Sequence, residues 1–166
     1  MEIERKFLVK SLPDNLENYP HAELSQAYIA SHGTTVRIRK ADDRYMLTIK
    51  KKPAPSEDSK AAIVNVEIEE EIPKDLFERL AAHVETPFLT KTRYRIPCGK
   101  HVAELDIYHG VLEGLKTVEI EYASVEEAQD APVPSWFGRE VSNDRRYRNS
   151  SLSVLTTLEG LPLQRV

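Results

Sequence analysis

The sequence predicts a mainly β chain of the α+β class, a closed antiparallel barrel of eight strands with a few flanking helices. Three observations carry this. Eight segments alternate with period two, and the first and at least six of the later ones place ionisable side chains on one face and mostly apolar ones on the other. Turn-forming residues punctuate the gaps between many of them. Helical signals are few, which fits a barrel with helical flanks.

The first strand, Met1 to Val9, sets the pattern: Glu2, Glu4 and Lys6 share one face, and Ile3, Phe7 and Val9 the other. Gln26 to Ala30 and Thr35 to Lys40 follow, parted by Ser31-His32-Gly33, which supplies hairpin-turn chemistry. Tyr45 to Lys51 comes after the polar turn Ala41-Asp42-Asp43-Arg44. Lys52 to Ser59 is rich in proline and charge, has neither periodicity, and reads as a mobile loop. The fifth strand is Ile63 to Ile72, ended by Pro73. Lys74 to Val84 places Leu76, Phe77, Leu80 and Val84 at helical spacing, a helix for the outer faces of the strands.

Phe88 to Ile96, His101 to Tyr108 and Leu115 to Tyr122 complete the eight, with turns at Pro97-Cys98-Gly99, Gly110 and Gly114. Ser124-Val125-Glu126-Glu127 is a capping box opening a short helix, broken by Pro132 and Pro134. Trp136 and Phe137 read as core packing. A last helix is expected from about Ser150 to Leu158, stopped at Gly160.

Composition narrows the function. With 166 residues and 40% apolar content, the chain forms one domain spanning 1–166 with a core of its own. One cysteine, Cys98, allows no internal disulfide and no thiolate cluster, so a metal here takes oxygen ligands: magnesium, manganese or calcium over zinc. His21, His32, His83, His101 and His109 lack ligand spacing. A net charge of −4 argues against nucleic acid as a partner. No apolar run matches a membrane span, and Glu2 and Glu4 stand where a signal peptide would be basic then apolar, so a cytoplasmic protein with no membrane partner is expected.

For any one strand the ordinary reading is apolar inside and charge outside. The signs, however, segregate. Arg37 with Arg39 and Lys91 with Arg93 are wholly basic; Glu67 with Glu69, Glu104 with Asp106 and Glu119 with Glu121 are wholly acidic. Neighbours on one strand face lie about 6.6 Å apart. Like charges about 5 Å apart repel by about 3 kcal/mol at an effective dielectric near 20. Repeated like-sign pairs are explained if something of opposite charge sits between them, and the alternation alone leaves both orientations open.

Were the charged faces inward, Lys6, Arg37, Arg39, Lys50, Lys91 and Arg93 would converge on an anion with many oxygens. The carboxylates would converge on one or two hard cations. A polyphosphate chelating a divalent metal satisfies both, and six positive charges suit a triphosphate.

The ordered motifs resemble the CYTH, or triphosphate tunnel metalloenzyme, superfamily. They are Glu2-x-Glu4-x-Lys6, Arg37-Ile38-Arg39, Thr48-Ile49-Lys50, Glu67-Ile68-Glu69, Lys91-Thr92-Arg93-Tyr94, Glu104-Leu105-Asp106, Glu119-Ile120-Glu121 and Asp144 to Asn149. The resemblance implies an eight-stranded tunnel with a charged interior that binds triphosphates with Mg2+ or Mn2+, and inward-facing charge. Short bacterial-type members are often tripolyphosphatases, so hydrolysis of inorganic triphosphate is expected. Adenylate cyclase is the alternative and a non-catalytic polyphosphate sensor the third. Ala27-Tyr28-Ile29-Ala30 stands where the thiamine-triphosphatase type carries Tyr-x-Asp-Thr.

On this resemblance Glu2, Glu4, Glu67, Glu69, Glu104, Asp106, Glu119 and Glu121 are the metal ligands. Lys6, Lys50, Lys91 and Arg93 act in catalysis, joined in substrate binding by Arg37, Arg39 and Arg146. The substrate partner is inorganic triphosphate or a nucleoside triphosphate.

Overall fold

The computed structural model describes residues 1–52 and 62–164. The elements are β1 (Glu2–Val9), β2 (His21–Ala30), β3 (Thr34–Ala41), β4 (Arg44–Lys51), β5 (Ile63–Glu71), α1 (Lys74–Ala81), β6 (Leu89–Cys98), β7 (His101–Tyr108), β8 (Lys116–Glu121), α2 (Val125–Asp130), β9 (Phe137–Glu140) and α3 (Asn149–Leu152). Apart from Lys52, the stretch expected to be a mobile loop lies outside the described residues.

Hydrogen bonding runs in the order β5-β4-β3-β2-β6-β7-β8-β1, and β1 pairs back onto β5, closing an eight-stranded antiparallel barrel. The closure is short: Glu2, Ile3 and Glu4 pair with Asn65, Val64 and Ile63. Further along, the same edge of β1 takes up β9, with Phe7 opposite Glu140 and Val9 opposite Phe137. Arg5 fixes that extra strand, donating to both carboxylate oxygens of Glu140 at 2.7 and 3.1 Å.

The hydrophobic core lies outside the barrel wall. Phe7, Leu105, Val118 and Ile120 on the outer faces of β1, β7 and β8 are buried against Phe137 and Ala128. The ring of Phe137 lies 5.1 Å from Phe7 and 4.6 Å from Trp136, so both aromatics serve packing. The capping box forms as expected: the Glu127 amide donates to Ser124 Oγ, while the Glu127 carboxylate accepts from Ala123 N. At one end the inner faces themselves turn apolar. Leu8 follows Lys6, Leu89 precedes Lys91, Tyr108 follows Asp106 and Leu115 precedes Thr117, and these pack with Val141, Tyr147 and Leu152 as a partial plug.

Three differences from the sequence reading have physical causes. β2 starts at His21, ahead of the expected Gln26: pairing with β6 orders its first half, whose polarity is opposite to that of the other strands, with Ala22 and Leu24 facing the cavity and Glu23 outside. The four-residue β9, which carries Gly138, is too short to show a period. The last helix is one turn, Asn149–Leu152, and Leu155, Leu158 and Leu161 pack without continuing it.

Helix α1, ending at Ala81, packs on the outer face of β4 at its start, with Phe77 buried 4.9 Å from the ring of Tyr45 and 6.2 Å from Phe88. Phe77→Ala is expected to lower unfolding stability in urea by about 3 kcal/mol, the usual cost of emptying a buried aromatic site. An unchanged midpoint would mean that α1 contributes nothing to the barrel's stability.

Candidate active site

The charged faces turn inward. The barrel encloses a cavity of about 840 Å³, within the ordinary range for ligand pockets. Glu2, Glu4, Lys6, Arg37, Arg39, Lys50, Glu67, Glu69, Arg93, Glu104, Glu119 and Glu121 line it. Meanwhile Ile49, Val66 and Ile68 on the outer faces of β4 and β5 are exposed, the reverse of an ordinary barrel. A second hollow of about 640 Å³ outside the barrel, between β9 and α2, holds none of the predicted residues.

Strand register explains how so much charge is tolerated. Lys6 lies opposite Glu119, Lys50 opposite Glu67, and Arg93 opposite Asp106. The like-sign pairs along each strand therefore become opposite-sign pairs between strands. Lys6 Nζ is 3.0 Å from Glu119 and donates to the Tyr147 carbonyl at 2.8 Å. Lys50 Nζ donates to Glu2 at 2.9 Å and lies 3.6 Å from Glu67. Arg93 grips both oxygens of Asp106 at 2.8 and 2.9 Å and reaches Glu104 at 3.1 Å.

Two places escape this pairing. On β3, Arg37 faces Tyr28 and Thr48, and Arg39 faces Gln26 and Met46, all neutral. Arg39 Nε donates to Gln26 at 3.0 Å and has no carboxylate partner among the described residues. Burial, with Arg37 and Arg93 nearby, pulls its pKa down to about 9. Arg37 Nη2 donates to Thr48 and lies 3.4 Å from Glu69, but its Nε is buried without an acceptor. An unfilled buried donor beside a guanidinium without a carboxylate is chemically suited to receive an anion's oxygens.

The second place is acidic. Glu4 lies opposite Glu121, and Glu104 opposite Glu119. Burial, then Glu119 and Glu2, raises the Glu4 carboxyl well above the usual range. Burial and the hydrogen bond with Glu2 push Glu67 to about 7. Burial would raise Glu119 too, yet Lys6, Arg93 and Lys91 hold it well below. These are hard oxygen donors, the kind that suits Mg2+ or Mn2+. Among the described residues no three His, Cys, Asp or Glu side chains are gathered for a metal. Glu2, Glu67 and Glu119 are instead engaged with the lysines.

Three predicted residues stand apart from the cavity lining. Lys91 and Asp106 have no solvent-accessible side-chain surface. Lys91 Nζ donates to Asp106 at 2.7 Å and to Asn149 at 3.2 Å. Burial opposes charge on Asp106, but Arg93 and Lys91 outweigh it and hold its carboxyl at about 2. Arg146 turns outward onto Asp144, with 53% of its side chain exposed. Its neighbours Arg145 and Arg148 line the cavity instead. Residues 145–147 form a 3-10 turn, in which positions three apart eclipse, so 145 and 148 share a side and 146 does not. Tyr28 and Gln26 were also missed; with no charge of their own, only their phase relative to Arg37 and Arg39 could have shown them.

The CYTH domain description matches residues 1–157. The inorganic triphosphatase of Nitrosomonas europaea is 36% identical over 158 residues, covering 92% of this chain and 97% of its own length. That of Acetivibrio thermocellus is 33% identical over 154 residues, covering 91% and 92%. A crystal structure of an inorganic triphosphatase superposes with a TM-score of 0.67 at 32% identity, covering 95% of this chain and 97% of that one. Inward charge, the closed barrel and this match over nearly the whole length agree: the chain belongs to the CYTH domain family.

Proposed function

We propose that this protein hydrolyses inorganic triphosphate to diphosphate and orthophosphate within the tunnel, using Mg2+ or Mn2+, in a single domain spanning 1–166. The observation that carries this is the under-compensated arginine pair on β3: Arg37 reaches only Glu69, at 3.4 Å, and its Nε has no acceptor, while Arg39 has no carboxylate among the described residues, inside a charged cavity. The named activity of the two bacterial relatives supports the same substrate.

Arg37 and Arg39 bind the phosphate chain, and Arg is suited to bidentate contact with its oxygens. Lys6, Lys50 and Arg93 add charge to offset that developing on the leaving diphosphate, which is most of what phosphoryl transfer asks of a protein. Lys91 and Asp106 act indirectly, holding Arg93 in place. Glu2, Glu4, Glu119 and Glu121 would hold one divalent ion, and Glu67, Glu69 and Glu104 a second. Such ions neutralise phosphate oxygens and acidify the attacking water. Water then attacks a terminal phosphorus, the anhydride P–O bond breaks, and diphosphate leaves.

The ion pairs make binding of metal and anion mutually dependent. Lys50 is held by Glu2 and Glu67; an anion that takes Lys50 frees those carboxylates for a cation.

Phosphate release should be rapid from inorganic triphosphate with Mg2+ or Mn2+, and slow or absent from diphosphate and ATP. Cyclic AMP made from ATP would overturn the hydrolase reading, and no turnover of any triphosphate would leave only a sensor. Glu4→Gln should cut metal-dependent turnover by at least about 100-fold with the circular dichroism unchanged; normal turnover would remove Glu4 from the metal set. Arg39→Met should show opposite effects in two assays. Turnover falls by about 100-fold, while the empty protein gains about 1 kcal/mol in urea unfolding because a poorly compensated cation is gone. Loss of both activity and stability would contradict the anion-seat assignment.

A further inference from the structure

Gln26 is fully buried on β2, directly opposite Arg39 and behind the cavity lining. Its amide is wedged between two groups that do line the cavity. Arg39 Nε donates to Gln26 Oε1 at 3.0 Å, and Gln26 Nε2 donates to the Tyr28 hydroxyl at 3.1 Å. Chemistry dictates the direction of this chain. A guanidinium has no acceptor, so the amide must turn its oxygen to Arg39. The amide nitrogen, which only donates, then meets the Tyr28 oxygen, and the phenolic hydrogen is forced away from Gln26. Among the described residues that hydroxyl makes no other hydrogen bond, and Tyr28 borders the cavity, so a bound anion can supply the acceptor.

Arg39 is fixed by the same contact. With Nε engaged, its two terminal nitrogens are left for an oxyanion, and the partner that holds it carries no charge. Arg93 shows the alternative: Asp106 takes Nε and Nη2 at 2.8 and 2.9 Å, which both orients the guanidinium and offsets its charge. Position 26 needs a group that accepts from Arg39, donates to Tyr28 and stays neutral, and an amide supplies all three. A carboxylate there would offset the cation and claim the phenolic hydrogen.

We propose that Gln26 is a positioning residue that sets the polarity of the anion-binding wall. Without touching substrate, it holds Arg39 charged with its terminal nitrogens free and turns the Tyr28 hydroxyl into a donor toward the phosphate chain. This role rests on the triphosphatase reading above.

The test compares Gln26→Glu and Gln26→Met with the wild type in three assays: calorimetric binding of tripolyphosphate without metal, kcat/KM with Mg2+, and urea unfolding. Gln26→Glu should weaken binding and lower kcat/KM by about tenfold or more, the scale of losing charge-assisted hydrogen bonds. Gln26→Met should lose less of both, because Arg39 keeps its charge and Tyr28 its hydrogen. Stability should rank the other way, since Met strands Arg39 Nε while Glu satisfies it. A merely structural amide predicts that binding follows stability across the two variants, and that result overturns the role. Should Gln26→Glu not fold, a cycle with Tyr28→Phe decides: the loss of binding from Tyr28→Phe should be smaller in the Gln26→Met background than in the wild type, and additive losses overturn the role. Should the wild type bind tripolyphosphate but release nothing from it, the triphosphatase reading fails alone and the binding order still decides Gln26. No binding to the wild type overturns both.

Discussion

Opposite charges facing each other across neighbouring strands are the constraint on which the rest of this molecule depends. Turning so many ionisable side chains into a barrel would be prohibitive were each to lose water alone, since an unpaired buried charge costs several kcal/mol. The register solves this strand by strand, setting Lys6 against Glu119, Lys50 against Glu67 and Arg93 against Asp106. A shift of one residue in any of these pairings would send the charges outward and the apolar faces inward. The external core follows from the same choice, because the apolar outer faces can then be covered only from outside, by α1, α2 and β9, while the C-terminal turns pack on the plug at one end.

Where that neutralisation is incomplete, chemistry is assigned. The neighbours of β3 place only neutral residues directly opposite its two arginines, which suits that pair to an anion. β1 and β8 bring Glu4 against Glu121, and β7 brings Glu104 against Glu119, leaving negative charge for a cation. The two imbalances have opposite sign and share one cavity, which is the arrangement a metal-chelating polyphosphate needs. The unbalanced groups cost stability in the empty protein, as sites preorganised for charged ligands commonly do.

Much of the architecture was legible in the sequence because phase is local. Glu2-x-Glu4-x-Lys6 and its later counterparts each report which residues share a face, and their agreement in phase describes one continuous inner surface. What no single strand reports is its neighbour. The like-sign argument from Arg37 with Arg39 and Lys91 with Arg93 treated each strand alone. For β6 the adjacent strand supplies the opposite charge through Asp106, so of these two basic strands β3 alone keeps its demand for a ligand. The start of β2 was hidden because Ala22 and Leu24 point into the cavity while Glu23 points out. In the Asp144 to Asn149 run, the sequence drew attention to Arg146, but the eclipsed geometry of the turn brings Arg145 and Arg148 to the cavity and sends Arg146 to Asp144.

The most direct test is calorimetric titration of the protein with tripolyphosphate, with and without Mg2+, and of Mg2+ with and without tripolyphosphate, corrected for their association in solution. If anion and cation each release the partner of the other, both should bind more tightly together, and by the same factor in either order. Binding of each ligand with an affinity indifferent to the other would contradict the account, because the internal ion pairs would then have no part in what the tunnel binds.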